Sequence, residues 1–255
     1  LKTPGNPTQF ADVAPSAAAL RLTVVMPVYN EAATVARVCA NVLAQEAVSE
    51  LVVVDDGSSD GTWEALQGVA ASHEARVRAL RHELNKGKGA ALHTGFAAAT
   101  GDIVVVQDAD FEYDPSDYGR LLEPIRREGA DVVFGSRFTG GSSHRVLYFW
   151  HSLGNNFLTL LSNMVTDLNL TDMECGYKAF RREVLTSIRL EEPRFGFEPE
   201  VTAKVARRGL KIYEVGVAYH GRTYAEGKKI NWKDGVSAIR CILKYGLPGM
   251  LGRRG

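Results

Sequence analysis

A mostly parallel α/β sheet with helices on both faces is the architecture this sequence predicts, and three observations predict it. Short β-branched runs recur at Leu22 to Val28, Leu51 to Val54, Ile103 to Val106 and Asp131 to Phe134. Uninterrupted apolar runs of this length are strands buried on both faces. Between the first two, Val35, Val38, Cys39 and Val42 repeat at i, i+3, i+4 and i+7, the stripe of an amphipathic helix. Strand and helix in alternation are βαβ units, which make a parallel sheet.

Composition narrows the class. The chain has 255 residues, 45% of them hydrophobic and 24% charged, the make-up of one large or two small globular domains with a sizeable core. Thirty basic residues cancel thirty acidic ones, so no net positive field supports a nucleic-acid partner. Cys39, Cys175 and Cys241 are too scattered for a disulfide framework or a C-x-x-C zinc site, and free thiols in packing roles are expected. No apolar run reaches the roughly 18 residues that cross a bilayer, and no basic-then-apolar leader begins the chain. A cytoplasmic protein, peripheral at the cytoplasmic face of a membrane, is expected.

Taken in order, residues 1–20 carry Pro4, Pro7 and Pro15 without periodicity and read as a flexible arm. One domain is expected over 21–225, in two halves, 21–140 and 141–225, followed by a tail over 226–255 that is rich in Lys and Gly and is expected to be amphipathic. Asp114-Pro115 is a helix start, since Asp caps well and Pro suits the first helical position. Val146 to Val165 is a long apolar-aromatic segment, a helix runs from near Pro199 to Arg208, and Ile212 to Val217 alternates as a strand.

Ligands of a parallel sheet bind outside the carboxyl ends of its strands, and four polar clusters fall there. They are Pro27-Val28-Tyr29-Asn30-Glu31, Asp55 to Gly61, Asp108-Ala109-Asp110 and Gly135-Ser136-Arg137. In Asp108-Ala109-Asp110-Phe111-Glu112, carboxylates at alternate positions face one side if the chain stays extended. Such a cluster suits Mg²⁺ or Mn²⁺, with coordination sites left for substrate phosphates. Asn85-Lys86-Gly87-Lys88-Gly89 leads into a helix with exposed N–H groups and two cations, a seat for a diphosphate. Gly57-Ser58-Ser59-Asp60-Gly61 matches the G-x-S-x-G hydrolase elbow, with His220 as its base, but that reading leaves Asp108 and Asp110 unexplained.

With Gly176-Tyr177-Lys178-Ala179-Phe180-Arg181-Arg182 added, these stretches resemble family 2 glycosyltransferases of the GT-A fold, and more closely the polyprenyl- and dolichyl-phosphate mannose (hexose) synthases. The resemblance spans about residues 22 to 220. It implies a UDP- or GDP-linked hexose donor in the first half and an acceptor in the second. Carried over position by position, Pro27, Tyr29, Asn30, Glu31 and Asp56 line the nucleoside pocket, and Lys86 and Gly87 lie near base or ribose. Asp108, Ala109 and Asp110 face ribose and metal-bound diphosphate, with Glu112, where the family often has Gln, as a further metal ligand. Arg137 is expected at the sugar and acceptor phosphate, joined there by Arg145, His151 and His144. Arg222 and Lys228 or Lys229 are candidates for closing over the diphosphate.

The resemblance also implies single displacement with inversion. A phosphate acceptor has a second pKa near 6 and needs no strong base at pH 7. A hydroxyl acceptor requires a carboxylate, and Asp172 or Glu174 are the candidates. Alternatives are the same chemistry on a soluble or saccharide acceptor and a non-catalytic regulatory subunit. The expected partners are the nucleotide sugar, a polyprenyl phosphate, a membrane surface or membrane protein, and a second copy of the chain. The Val146 to Leu161 segment is expected to lie in a membrane interface, or to be buried or form a dimer contact.

Overall fold

The computed structural model describes residues 20–140, 146, 148–221 and 232–252. The expected N-terminal arm therefore lies outside the described residues, apart from Leu20. Seven strands form one sheet in the order β3-β2-β1-β4-β6-β5-β7. They are β1 (Leu22–Val28), β2 (Val48–Asp55), β3 (Val77–Arg81), β4 (Ile103–Val106), β5 (Val132–Ser136), β6 (Lys178–Arg181) and β7 (Ile212–Gly216). The helices are α1 (Val35–Leu43), α2 (Thr62–Ser72), α3 (Lys88–Ala98), α4 (Tyr118–Glu123), α5 (Phe149–Thr166), α6 (Arg182–Ser187), α7 (Phe197–Ala206) and α8 (Trp232–Gly252).

The five expected strands form, as β1, β2, β4, β5 and β7, and β1 pairs parallel with β2 and β4, as β2 does with β3. Strict alternation divides their side chains between two cores. Val24, Met26, Val53 and Val105 pack with α1, α2 and α4 on one face, and Val25, Val52, Val54 and Val104 with α3, α6 and α7 on the other. The Asp114 carboxylate accepts the Ser116 N–H at 2.9 Å and opens a 3₁₀ turn, Pro115–Asp117, that leads into α4, as the capping signal predicts.

Two strands carry no apolar run and are invisible to that signal. β3 (VRALR) sits at one edge. β6 (KAFR), inside the stretch that resembles a family motif, wedges between β4 and β5 and runs antiparallel to both. Its Lys178 is fully buried because its ammonium donates to the carbonyls of Met173 and Cys175 and stands 5.0 Å from the Phe134 ring centre. An antiparallel strand reverses which end meets the ligand edge. The segment leading into β6, residues 172–177, therefore arrives beside the loops that leave β4 and β5.

Residues 232–252 of the expected tail form α8, which packs on α5 and α7. All three cysteines are free and buried. Burial is the largest influence on each thiol, pushing Cys39 up to about 12 and Cys175 and Cys241 to about 11, so they stay protonated and serve packing. Among the described residues no helix is long and apolar enough to cross a membrane.

Candidate active site

The loops after β1 and β2 are laced together. Asn30 adopts the left-handed conformation (φ 52°), its N–H donates to Ser58 Oγ at 2.9 Å, and its own Oδ1 accepts from Ser59 N–H at 3.0 Å. Glu31 N–H donates to Thr62 Oγ1 at 2.9 Å, and Asp60 accepts the N–H groups of Ala32 and Thr62, each at 3.1 Å. Among the described residues no histidine hydrogen-bonds Ser58 or Ser59, so the hydrolase elbow has no triad. Tyr29 stands beside this lacework 41% exposed, able to stack on a base.

Asp56 is buried and organises the next loop. Its Oδ1 accepts from Lys86 N–H at 3.0 Å and meets His82 Nδ1 at 2.7 Å, while Oδ2 accepts from Gly87 N–H at 2.6 Å. The other His82 ring nitrogen lies 2.9 Å from Thr94 Oγ1 on α3. The two amides point inward at a carboxylate, which turns the Asn85 to Gly89 stretch into the N-terminus of α3. Gly87 makes that turn at φ 103°, a conformation only glycine adopts freely.

Lys88 does not stand free, as a cation reserved for a diphosphate would. Its ammonium lies between Asp108 Oδ1 at 2.9 Å and Glu198 Oε1, from α7, at 3.0 Å. Burial works against its charge, and the two carboxylates outweigh burial and hold its pKa above the ordinary value. Nothing local marks Glu198 as a site residue; two acidic residues in the first turn of α7 look like ordinary helix-terminal charge.

The expected convergence of three carboxylates does not occur. Asp108 is engaged by Lys88, Asp110 Oδ1 accepts Glu112 N–H at 3.1 Å, and Glu112 Oε2 accepts from Tyr219 OH at 3.1 Å. A bridge between Tyr113 and Tyr219 draws that strand end away. Among the described residues no three Asp, Glu, His or Cys side chains form a metal cage. A cation held by one or two carboxylates and completed by substrate phosphates and water suits oxygen donors of this kind, which is how Mg²⁺ commonly binds. Gln107 supports the turn by accepting from Tyr118 OH and Tyr177 OH, each at 2.6 Å. Gly176 is required beside it, because a Cβ there would overlap Asp108 Oδ2.

Directly after β5, Arg137 is locked to Asp172. Its Nε and one terminal nitrogen donate to the two carboxylate oxygens at 2.6 and 2.7 Å, and its backbone N–H donates at 3.0 Å. Asn155, on α5, accepts from the guanidinium at 2.8 Å and donates to Asp172 at 3.1 Å. Arg137 is 8% exposed and Asp172 wholly buried. Each Asp172 oxygen thus accepts two hydrogen bonds, from an always-charged partner and an amide, which leaves it ill placed to take a proton from a hydroxyl acceptor. The same bonds fix the direction of the Arg137 guanidinium.

Glu174 behaves differently. Its Oε1 is buried without a partner, and burial first, then the Glu198 and Asp172 charges, push its carboxyl up to about 8 against the opposing effect of Lys178 and Arg137. It holds a proton at neutral pH and does not take one. Between pH of about 4.5 and 8 the folded chain retains this proton while the unfolded chain releases it, so stability falls as pH rises through that window. Glu174→Gln is expected to raise the thermal midpoint at pH 8 and leave it almost unchanged at pH 4.5. Equal shifts at both values would refute the assignment.

His151 lies half-buried in the first turn of α5. Arg145, His144, Arg222, Lys228 and Lys229 lie outside the described residues.

A motif set spread over one sheet edge is now matched by a family profile, glycosyl transferase family 2, across residues 23–189. The chain belongs to glycosyltransferase family 2. Relatives of this transferase include an undecaprenyl-phosphate mannosyltransferase of Micrococcus luteus, 30% identical over 89% of this chain and 95% of that protein. A polyprenol monophosphomannose synthase of Mycolicibacterium smegmatis is 28% identical over 99% and 98% of the two chains. Among solved structures, glucosyl-3-phosphoglycerate synthase from Mycobacterium tuberculosis, in complex with Mn²⁺, UDP and glucosyl-3-phosphoglycerate, superimposes with a TM-score of 0.69 at 26% identity, over 96% of this chain and 86% of that one. The fold is thus GT-A-like, and the enzyme is a sugar transferase of hexosyltransferase type.

Proposed function

We propose that this transferase moves a hexose from a UDP- or GDP-linked donor to a polyprenyl phosphate at a membrane surface, with inversion and with Mg²⁺ or Mn²⁺ at Asp110. The observation that carries the lipid acceptor is the two-sidedness of α5. One side of that helix presents Asn155 to Arg137. The other exposes Phe149, Trp150, Leu153, Phe157, Leu160 and Met164, a continuous apolar stripe at helical spacing. A lipid whose phosphate meets Arg137 would have its chain beside a face that water does not favour, which is the character of an interfacial helix.

Held at Asp110, a divalent cation would neutralise charge on the departing nucleoside diphosphate, and Tyr29, Asn30 and Glu31 with the Asp56-held Lys86–Gly87 turn receive the nucleoside. The phosphate acceptor brings its own oxyanion at pH 7, in keeping with a site whose two candidate bases are a saturated Asp172 and a protonated Glu174. A second reading keeps the donor chemistry and places a soluble phosphate in the acceptor site. It draws on the likeness to a synthase whose solved complexes hold phosphoglyceric acid.

The test is transfer from labelled UDP- and GDP-hexoses to undecaprenyl phosphate in vesicles and, separately, to 3-phosphoglycerate. The lipid reading predicts a labelled lipid product and co-sedimentation with vesicles that Trp150→Gln/Phe157→Gln reduces severalfold. Transfer to 3-phosphoglycerate alone, without vesicle binding, would replace it with the soluble reading.

A further inference from the structure

Residues 191–198 lie beyond the family-matched segment and run as a strap between α8 and the start of α3. At the outer end Glu192, 7% exposed, accepts from Arg240 at 2.6 Å on Oε2, and from Lys244 Nζ at 3.0 Å and Tyr245 OH at 2.9 Å on Oε1. Burial raises its carboxyl, and these donors outweigh burial and bring it down to about 2. The N–H groups of Glu191 and Glu192 donate to the buried Glu200 at 2.7 and 2.8 Å. A Cβ on Gly196 would stand 2.7 Å from Cys241 Sγ of α8, so strap and helix are in close contact there too.

The inner end closes on the nucleotide loop. Ala90 N–H, one of the donors that a helix N-terminus leaves unsatisfied, finds the Pro193 carbonyl at 2.9 Å. Gly87 and Gly89 are bare because the strap occupies the space of their side chains: a Cβ on Gly87 would lie 2.5 Å from Pro193 O, and one on Gly89 would overlap Glu192 O. The same segment delivers Glu198 to Lys88, and Lys88 to Asp108. A continuous set of hydrogen bonds and packed backbone thus joins the C-terminal helix to the turn that Asp56 organises.

We infer that Glu192 is a positioning residue: by pinning residues 191–198 to α8, it holds the Lys86 to Ala91 turn in the form that receives the donor nucleoside. The functional half of this inference rests on the nucleotide-sugar reading above; the mechanical half rests on the contacts alone. A purely structural Glu192 would anchor α8 and nothing more.

Two measurements on the full chain separate these cases. In amide hydrogen exchange without nucleotide, Glu192→Gln is expected to speed exchange at residues 87–91 roughly tenfold, together with 240–245, the scale of losing a charged hydrogen bond. Faster exchange confined to 240–245 would overturn the inference. In calorimetric titration with UDP and GDP in the presence of Mn²⁺, Glu192→Gln is expected to weaken the nucleotide that the wild type binds by about tenfold, and Tyr245→Phe by a smaller factor. Unchanged affinity in both variants would also overturn it while the donor reading stands. A wild type that binds neither nucleotide would defeat the donor reading instead, and the exchange result would then decide the positioning by itself. Should Glu192→Gln fail to fold, Tyr245→Phe and Arg240→Met, each removing one donor, carry both measurements with the same two outcomes.

Discussion

Asp110→Ala is expected to lower sugar transfer by about two to three orders of magnitude, the scale of removing one electrostatic stabiliser of a charged transition state. Asp110 is 9% exposed at the end of β4, in the turn that Gln107 braces through two tyrosines. In the proposed reading Asp110 holds the cation, while Asp108 is engaged by Lys88 and Glu112 by Tyr219. The substitution should leave the fold intact and remove the Mn²⁺ dependence of nucleotide binding in calorimetry. Retention of more than a few per cent of turnover would refute the metal assignment. Asp108→Asn should act differently, by releasing Lys88 from one of its two partners, and should weaken donor binding without removing the metal response.

Asp172→Ala is expected to have the largest effect on stability, a loss of roughly 3–5 kcal/mol, because it leaves the Arg137 guanidinium buried without its counter-charge. For a chain of this size the thermal midpoint should fall by about 10 °C or more. Transfer should be lost as well, since the bidentate grip is what aims Arg137. Asp172→Asn, which from sequence alone would separate a hydroxyl from a phosphate acceptor, cannot do so here: it disturbs the same buried pair whatever the acceptor is. The double replacement Arg137→Met/Asp172→Leu should recover much of the stability while remaining inactive, as buried ion pairs exchanged for apolar residues often do. Thermal melts of the three variants beside a transfer assay test this. A single variant as stable as the wild type would show the pair to be solvated.

The sequence was legible where a property repeats locally. Apolar runs announced β1, β2, β4 and β5, the Val35 to Val42 stripe announced α1, and Asp114-Pro115 announced a capped turn, because burial of a strand or helix face imposes a period on neighbouring residues. The polar clusters that end those strands place Tyr29, Asn30, Glu31, Asp56, Asp108, Asp110 and Arg137 on one edge, since parallel strands all end there. β3 and β6 escaped because strands of four or five residues with Lys or Arg among them show no such period.

Tertiary structure alone decided what those residues are able to do. Lys88 meets Glu198 across 110 positions, Arg137 meets Asp172 across 35 and Asn155 across 18, and no local signature survives such separations. The antiparallel insertion of β6 brings Asp172 and Glu174 to the ligand edge, and burial there makes one an ion-pair partner and the other a proton holder. Residue type and spacing determined which chemistry the chain carries; the dielectric surroundings and partners that set each charge exist only once distant segments are packed together.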